Sequence, residues 1–135
     1  MSYHLSIHLD QAFDTALNQV REALLTAGFG IVSDIDLQTT FKNKLQRPFR
    51  AYRILGACKP EYAWQALAVE PFLGTLLPCN IVVQESLQGG VDISAIDPMV
   101  SLQSVGEGAL ADMAAKVQFE LQNVLNQLKS SQQSS

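Results

Sequence analysis

The chain has 135 residues, of which 47% are hydrophobic and 16% charged, a composition typical of one globular domain. Its 9 basic and 13 acidic residues give a net charge of −4, so the chain as a whole does not attract phosphate backbones or anionic lipids. We therefore expect neither a nucleic-acid partner nor a membrane partner, although a local basic patch is compatible with this balance.

The first ten residues, "MSYHLSIHLD", lack the basic segment and the apolar block of a secretory signal. No apolar run approaches the roughly 20 residues that a membrane-spanning helix needs. We therefore expect a cytoplasmic protein, in which Cys58 and Cys79 are free thiols rather than a structural disulfide.

The first half of the chain predicts two strands and two helices. "YHLSIHL" alternates between apolar and polar residues, which predicts a half-buried strand, and Asp10 after it is placed to cap a helix. An apolar stripe at helical spacing runs from Phe13 to Ala27, and Gly28 suits its end. "FGIVSDIDL" predicts a second strand, and "DLQTTFKNKL" predicts a short helix that Pro48 stops.

The second half predicts three strands and two helices. "FRAYRILGAC" is strand-like, and Pro60 suits the first turn of a helix over "KPEYAWQALAV". "NIVVQES" and "VDISAID" predict a β-hairpin, because the glycines of "LQGG" adopt the positive φ that such turns need. A long apolar stripe from Leu110 to Leu128 predicts the last helix, and "SSQQSS" follows it as a polar tail.

These elements predict an α+β fold in the order strand, helix, strand, short helix, strand, helix, strand, strand, helix. A mostly antiparallel sheet of about five strands, backed by two long helices, is the simplest arrangement of them. We expect a single domain over residues 1–129 and a polar, disordered tail over residues 130–135.

Two apparent cofactor motifs fail on spacing. Gly106, Gly108 and Ala111 match a dinucleotide fingerprint, but the 24 residues after Ala111 leave no room for the parallel return strand that this site needs. We therefore expect no nucleotide cofactor. His4 and His8 lie about 13 Å apart along one strand, too far to share a zinc ion. Because the sequence has no recognisable catalytic motif, we expect a protein that is not an enzyme.

The two cysteines are the sharpest feature. Each lies beside a proline at the end of a predicted strand, in "GACKP" and "LPCN". If the two strands pair antiparallel, both thiols lie at the same rim of the sheet. A nearby pair binds a soft metal ion such as Cu(I), or cycles between dithiol and disulfide. The alternative is that each cysteine is a small buried hydrophobe.

Four phrases, "FGIVSDIDLQTTFKNKL", "FRAYRILGACKP", "LLPCNIVVQE" and "AIDP", resemble the family called domain of unknown function 302, and the likeness extends from Tyr3 to Leu128. The resemblance implies a TATA-binding-protein-like α+β fold and a homodimer, but it does not carry DNA binding with it. The family's characteristic phrases fall on Lys42, Lys44, Tyr52, Gly56, Cys58, Pro60, Pro78, Cys79, Asn80, Glu85 and Asp97.

The sequence departs from the family at three places. It has "LQRPFR" where a glycine and an acid are more frequent, Lys59 where a small amide is common, and Gln84 where an aromatic residue is common. The resemblance also implies a small ligand pocket in which polar residues surround the two thiols. Its predicted polar members are Lys42, Tyr52, Asn80, Glu85 and Asp97.

Three functions follow from these observations. The first is a non-enzymatic, dimeric binding protein for a small ligand or a soft metal ion, with Cys58 and Cys79 as the metal ligands. The second is a thiol oxidoreductase or redox sensor, which needs a thiolate whose pKa is lowered by Lys59 or by a helix start. The third is a structural or partner-binding protein without a ligand pocket.

Overall fold

The structure is a computed structural model that describes residues 2–105 and 107–134. The described elements follow the predicted order, with a 3-10 helix and a short fourth helix in addition. The strands are β1 (His4–Leu9), β2 (Gly30–Asp36), β3 (Tyr52–Cys58), β4 (Cys79–Glu85) and β5 (Val91–Ile96). The helices are α1 (Phe13–Thr26), α2 (Leu37–Leu45), α3 (Pro60–Val69), the 3-10 helix (Pro71–Leu76), α4 (Pro98–Ser101) and α5 (Ala109–Ser134).

The five strands form one antiparallel sheet in the order β1-β5-β4-β3-β2. β4 and β5 make the predicted hairpin, in which Glu85 is opposite Val91 and both Gly89 and Gly90 have positive φ. Every second residue of β5 is buried, as a strand with one covered face requires. The predicted α+β class and five-stranded sheet are confirmed.

The main core lies between one face of the sheet and the two long helices. α1 contributes a buried stripe that includes Val20 and Leu24, and α5 contributes one that includes Leu121 and Leu125. These stripes arise because apolar residues recur every three or four positions, so that they share one side of a helix. They pack against the inward-facing residues of the strands, which include Leu9, Leu55, Ile81, Val83, Val91 and Ile93.

A second, smaller apolar cluster lies beside the main core. It joins α3, the 3-10 helix and the start of α5 through the buried residues Ala66, Leu73 and Leu110. Partly buried Leu77 and Met113 pack against it. The region between the two clusters is where the rim of the sheet meets the helices.

The caps of the first two helices differ. Asp10 does not cap α1, because this helix begins after Ala12 and has no side-chain cap. The Asp10 carboxylate lies instead 3.1 Å from His8 Nε2. By contrast, Asp36 caps α2, because its carboxylate accepts a hydrogen bond from the backbone N–H of Thr39 at 3.0 Å.

The last helix is longer than the sequence predicts. α5 continues through Ser134, so residues 130–134 are helical where a disordered tail was expected. The Gln132 side chain accepts a hydrogen bond from the backbone N–H of Asp10 at 2.7 Å, which ties this part of α5 to the end of β1. Ser135, the last residue of the predicted tail, lies outside the described residues.

Within residues 2–105 and 107–134, no helix combines the length and the apolar character needed to cross a bilayer. Gly106, the first glycine of the dinucleotide-like motif, lies outside the described residues. Gly108 has a positive φ of 57° immediately before α5.

Candidate thiol cavity

Both cysteines lie at the same rim of the sheet. Cys58 ends β3 and Cys79 begins β4, and Ala57 is the register partner of Cys79. On the other side of β3, Gly30 is the register partner of Cys58. The antiparallel pairing of β3 and β4 therefore brings the two thiol-bearing residues to one end of neighbouring strands.

The two cysteines also line a single cavity of about 50 Å³, which we call the thiol cavity. It lies between the sheet rim and the helices α3, α4 and α5. Met113, on α5, is part of the same wall. The other apolar lining residues are Phe29, Ala57, Ala63, Ala66, Leu73, Leu77, Pro98, Leu102, Leu110, Ala114 and Val117.

A charged pair stands at one side of the thiol cavity. Lys59 and Tyr62 belong to its lining, and the Lys59 ammonium lies 2.5 Å from Glu120 Oε2. The Tyr62 hydroxyl donates to Glu120 Oε1 at 3.1 Å, and this bond to a carboxylate raises the pKa of the hydroxyl. The ammonium also lies 4.9 Å from the centre of the Phe29 ring, a favourable cation–π distance.

Both thiols are poor acids in this setting. Burial raises the pKa of Cys58 above its ordinary value. Burial, together with the charge of Cys58, raises the pKa of Cys79 to about 11. Because an apolar wall disfavours the thiolate, both groups are protonated at neutral pH. The two cysteines are free rather than joined in a disulfide.

The family comparison agrees with the resemblance seen in the sequence. A family model described as "Domain of unknown function DUF302" matches residues 5–128. The chain belongs to the DUF302 family. A crystal structure of an uncharacterized conserved DUF302 protein from Bacillus stearothermophilus is similar to it, with a TM-score of 0.85 and 22% sequence identity. The match covers 93% of this chain and 98% of that chain, and at this identity it shows the shared fold alone. No curated protein sequence matches the chain.

This DUF302 domain does not gather the predicted polar residues around the thiols. Of the predicted set, the thiol cavity is lined by Cys58 and Cys79. Asp97 lies at the same rim, but its carboxylate accepts hydrogen bonds from the Met99 backbone N–H and from Gln118 Nε2, at 2.9 and 3.0 Å. Asp97 therefore holds the start of α4 to α5.

The other four predicted residues lie elsewhere in the DUF302 domain. Asn80 is exposed and is the register partner of Gly56, with its side chain on the face opposite the main core. Tyr52 and Glu85 lie at the far ends of β3 and β4, six residues away from the cysteines.

The Glu85 carboxylate already has a hydrogen-bond partner, because it accepts from the backbone N–H of Ala51 at 2.6 Å. Lys42 lies on α2, beside a separate cleft. The predicted pocket is therefore divided between two ends and two faces of the sheet.

Three residues in or beside the thiol cavity carried no sequence signal as site residues: Tyr62 and Met113 line it, and Glu120 contacts Tyr62. Tyr62 and Glu120 are 58 positions apart in the chain, and their contact depends on how α3 packs against α5. Met113 falls within the apolar stripe of the last helix, and its position in the cavity wall follows from the same packing. Among the described residues, no group of three or more His, Cys, Asp or Glu side chains could hold a metal ion.

Proposed function

We propose that this DUF302 domain is a non-enzymatic, dimeric binding protein that holds a soft monovalent metal ion, with Cu(I) as the type, in the thiol cavity. The observation that carries the proposal is that three sulfur-bearing residues line one cavity. The chain has two cysteines and three methionines, and three of these five residues line one cavity: Cys58, Cys79 and Met113. Thiolate and thioether sulfur are the ligands that Cu(I) prefers.

The size of the cavity supports an ion rather than an organic ligand. Pockets for drug-sized molecules enclose roughly 300–1,000 Å³, whereas the thiol cavity encloses about 50 Å³. A volume of this size suits a single metal ion better than a drug-sized molecule. The existence of a cavity between helices and sheet also weighs against the purely structural alternative.

The charges near the cavity are compatible with a two-thiolate complex. Binding removes one proton from each thiol, so Cu(I) and two thiolates form a unit with a net charge of −1. An isolated anion is costly in an apolar wall. Lys59 lines the same cavity, and its ammonium, which is already paired with Glu120, offsets this charge in part.

The raised pKa values do not favour the redox alternative. Attack on a disulfide or an oxidant requires the thiolate, and its fraction at neutral pH falls as the pKa rises. Burial raises the pKa of Cys58, and burial with the charge of Cys58 raises the pKa of Cys79 to about 11. A metal ion is different, because it displaces the protons itself.

The proposed dimer is supported by the family resemblance and by one face of the sheet. Ile35, Ile54 and Val82 are register neighbours on β2, β3 and β4, on the face opposite the buried Leu55. Ile35 is 46% exposed, and the other two are partly exposed.

Light scattering tests the dimer. The wild type should have twice the mass of one chain, and Val82→Asp should have the mass of a single chain. A wild-type monomer at high concentration would contradict the dimer.

Competition for Cu(I) tests the metal site directly. Reduced protein is titrated anaerobically against a chromophoric Cu(I) chelator, and the wild type is compared with Cys58→Ser, Cys79→Ser and the double variant. We expect one ion per chain for the wild type and loss of binding in the double variant. Equal uptake by the wild type and the double variant would remove the proposal.

Two methionine variants test the third ligand. Met113→Leu keeps the apolar volume of the cavity wall but removes its sulfur, whereas Met99→Leu makes the same change at an exposed position outside the cavity. We expect weaker Cu(I) binding in Met113→Leu and unchanged binding in Met99→Leu. Unchanged binding in both would restrict the ligands to the two cysteines.

A further inference from the structure

The charges of this acidic chain are distributed unevenly. Residues 37–60 contain six of the nine lysine and arginine residues and none of the thirteen aspartate and glutamate residues. The rest of the chain therefore has three basic residues and all thirteen acidic ones. The basic stretch covers α2, the loop after it and β3.

Four of the six cations have no carboxylate partner among the described residues. Arg53 is paired with Asp34 and Asp36, and Lys59 is paired with Glu120. The remaining four are Lys42, Lys44, Arg47 and Arg50. The guanidinium of Arg50 donates to the neutral Oε1 of Gln84. These charges are available to an anion from outside.

Two of these cations face a cleft. Lys42 and Arg47 line an open cleft of about 800 Å³ together with Asn43 and Phe49. The cleft lies at the end of the sheet away from the thiol cavity, because α2 follows the last residue of β2 and Phe49 precedes the first residue of β3. Asp36, at the start of α2, is already engaged by Thr39 and Arg53.

The cleft is held in shape by contacts between α2 and the loop that follows it. Arg47 donates its backbone N–H to the Phe41 carbonyl at 3.3 Å, and the Gln38 amide donates to the Phe49 carbonyl at 3.0 Å. The Phe41 and Phe49 rings meet edge to face at 5.0 Å, and the Arg50 guanidinium lies 4.5 Å from the centre of the Phe49 ring. Because these contacts fix the loop, little conformational entropy is lost when a ligand binds.

We infer that this cleft binds a compact polyanion of the polyphosphate class, independently of the thiol cavity. Its volume lies within the range of small-molecule sites, and Lys42 and Arg47 supply the cationic donors that phosphate oxygens need. A long nucleic acid is disfavoured, because the chain outside residues 37–60 has thirteen acidic residues against three basic ones. A compact anion contacts the basic cleft and avoids the acidic surface.

Calorimetry with inorganic tripolyphosphate tests this inference. At low ionic strength we expect saturable binding of one anion per chain, which weakens as salt is added. Lys42→Gln and Arg47→Gln should each reduce the affinity about fivefold or more. Lys116→Gln removes the same charge from an exposed position of α5 and should leave the affinity unchanged. Amide NMR shifts on addition of tripolyphosphate should be confined to α2 and residues 46–50.

Several outcomes would overturn the inference. They are the absence of heat at low ionic strength, an equal loss in all three variants, and NMR shifts away from α2. Tighter binding of a single-stranded oligonucleotide than of tripolyphosphate would assign the cleft to nucleic acid instead. A change of oligomeric mass in Lys42→Gln and Arg47→Gln would assign it to contact between copies of the chain.

Discussion

The Lys59 ammonium lies 2.5 Å from Glu120 Oε2 and so joins the residue before α3 to the middle of α5. Both side chains are largely buried, with exposures of 19% and 25%, and Tyr62 binds the second oxygen of the same carboxylate. Neutralising Glu120 leaves the ammonium without its partner beside apolar residues. We expect Glu120→Gln to lower the free energy of unfolding by about 1–2 kcal/mol, measured by urea denaturation.

The pair can be separated from general packing by a double-mutant cycle. Lys59→Met keeps most of the side-chain length, and the variant that combines it with Glu120→Gln should lose less stability than the sum of the single changes. Lys116→Met makes the same substitution at an exposed site and should be nearly neutral. Strict additivity would mean that the two charges do not interact.

At Gly56, β3 leaves no room for a side chain. A Cβ at this position would lie 2.6 Å from Pro78 Cγ and would also collide with Ser33 Oγ. Since the proline ring cannot rotate away, we expect Gly56→Ala to destabilise the fold by about 1–3 kcal/mol in urea denaturation. Gly74→Ala is the matched control, because a Cβ added there meets no atom of the described residues within 4 Å, apart from its own chain neighbours. Equal stability of both variants would contradict the predicted collision.

The fold was predictable because each burial pattern is local. The alternation in "VDISAID" predicts one covered face, and Val91, Ile93 and Ala95 are the buried residues of β5. The spacing from Leu110 to Leu128 likewise predicts the buried stripe of α5. In each case the period of the element decides which residues lie inside, and no distant contact needs to be known.

The candidate site was only partly predictable. The order of the strands predicts that β3 and β4 pair antiparallel, and this pairing brings Cys58 to the same rim as Cys79. Tyr52 precedes Cys58 by six residues on one strand, a separation of about 20 Å at the rise of a β-strand, so strand length alone separates it from the thiols. The contact of Lys59 with Glu120 depends on the packing angle of two helices, which no local pattern specifies.

His8 links three parts of the chain through its ring. Its Nδ1 lies 2.7 Å from Asp92 Oδ1, and its Nε2 lies 3.1 Å from Asp10 Oδ1. The hydrogen bond to Asp92 is the largest cause of a raised His8 pKa, and Asp10 adds a smaller effect. We expect Asp92→Asn to lower the pKa of His8 more than Asp10→Asn does, as measured by NMR titration of the ring protons.

The raised pKa of His8 also makes the stability of the fold depend on pH. A histidine whose pKa is raised by folding stabilises the protein below its unfolded value of 6.5, and this contribution is lost as the pH rises through the folded value. Relative to the wild type, Asp92→Asn should therefore lose stability on the acidic side and little at alkaline pH. A uniform loss at every pH would assign Asp92 to packing rather than to the charge of His8.

Cys79 provides the corresponding test at alkaline pH. Its pKa is raised from 9.0 to about 11 by burial and by the charge of Cys58. Between these values the unfolded chain releases the thiol proton before the folded chain does, so the stability of the fold falls as the pH rises through this window. The two units correspond to a loss of about 2–3 kcal/mol. Cys79→Ala should show a shallower decline between pH 9 and 11 than the wild type does.

Alkylation rates distinguish a buried ligand from a redox thiol at this position. Iodoacetamide reacts with the thiolate, so in the folded protein Cys79 should react far more slowly at neutral pH than in urea, and its rate should still be increasing above pH 10. Mass spectrometry of the modified peptides resolves this site from Cys58. If Cys79 is instead half-ionised near pH 7, its surroundings stabilise the thiolate, and the redox function becomes the better explanation. If protection appears only when Cu(I) is added, the cavity is open to solvent until the ion closes it.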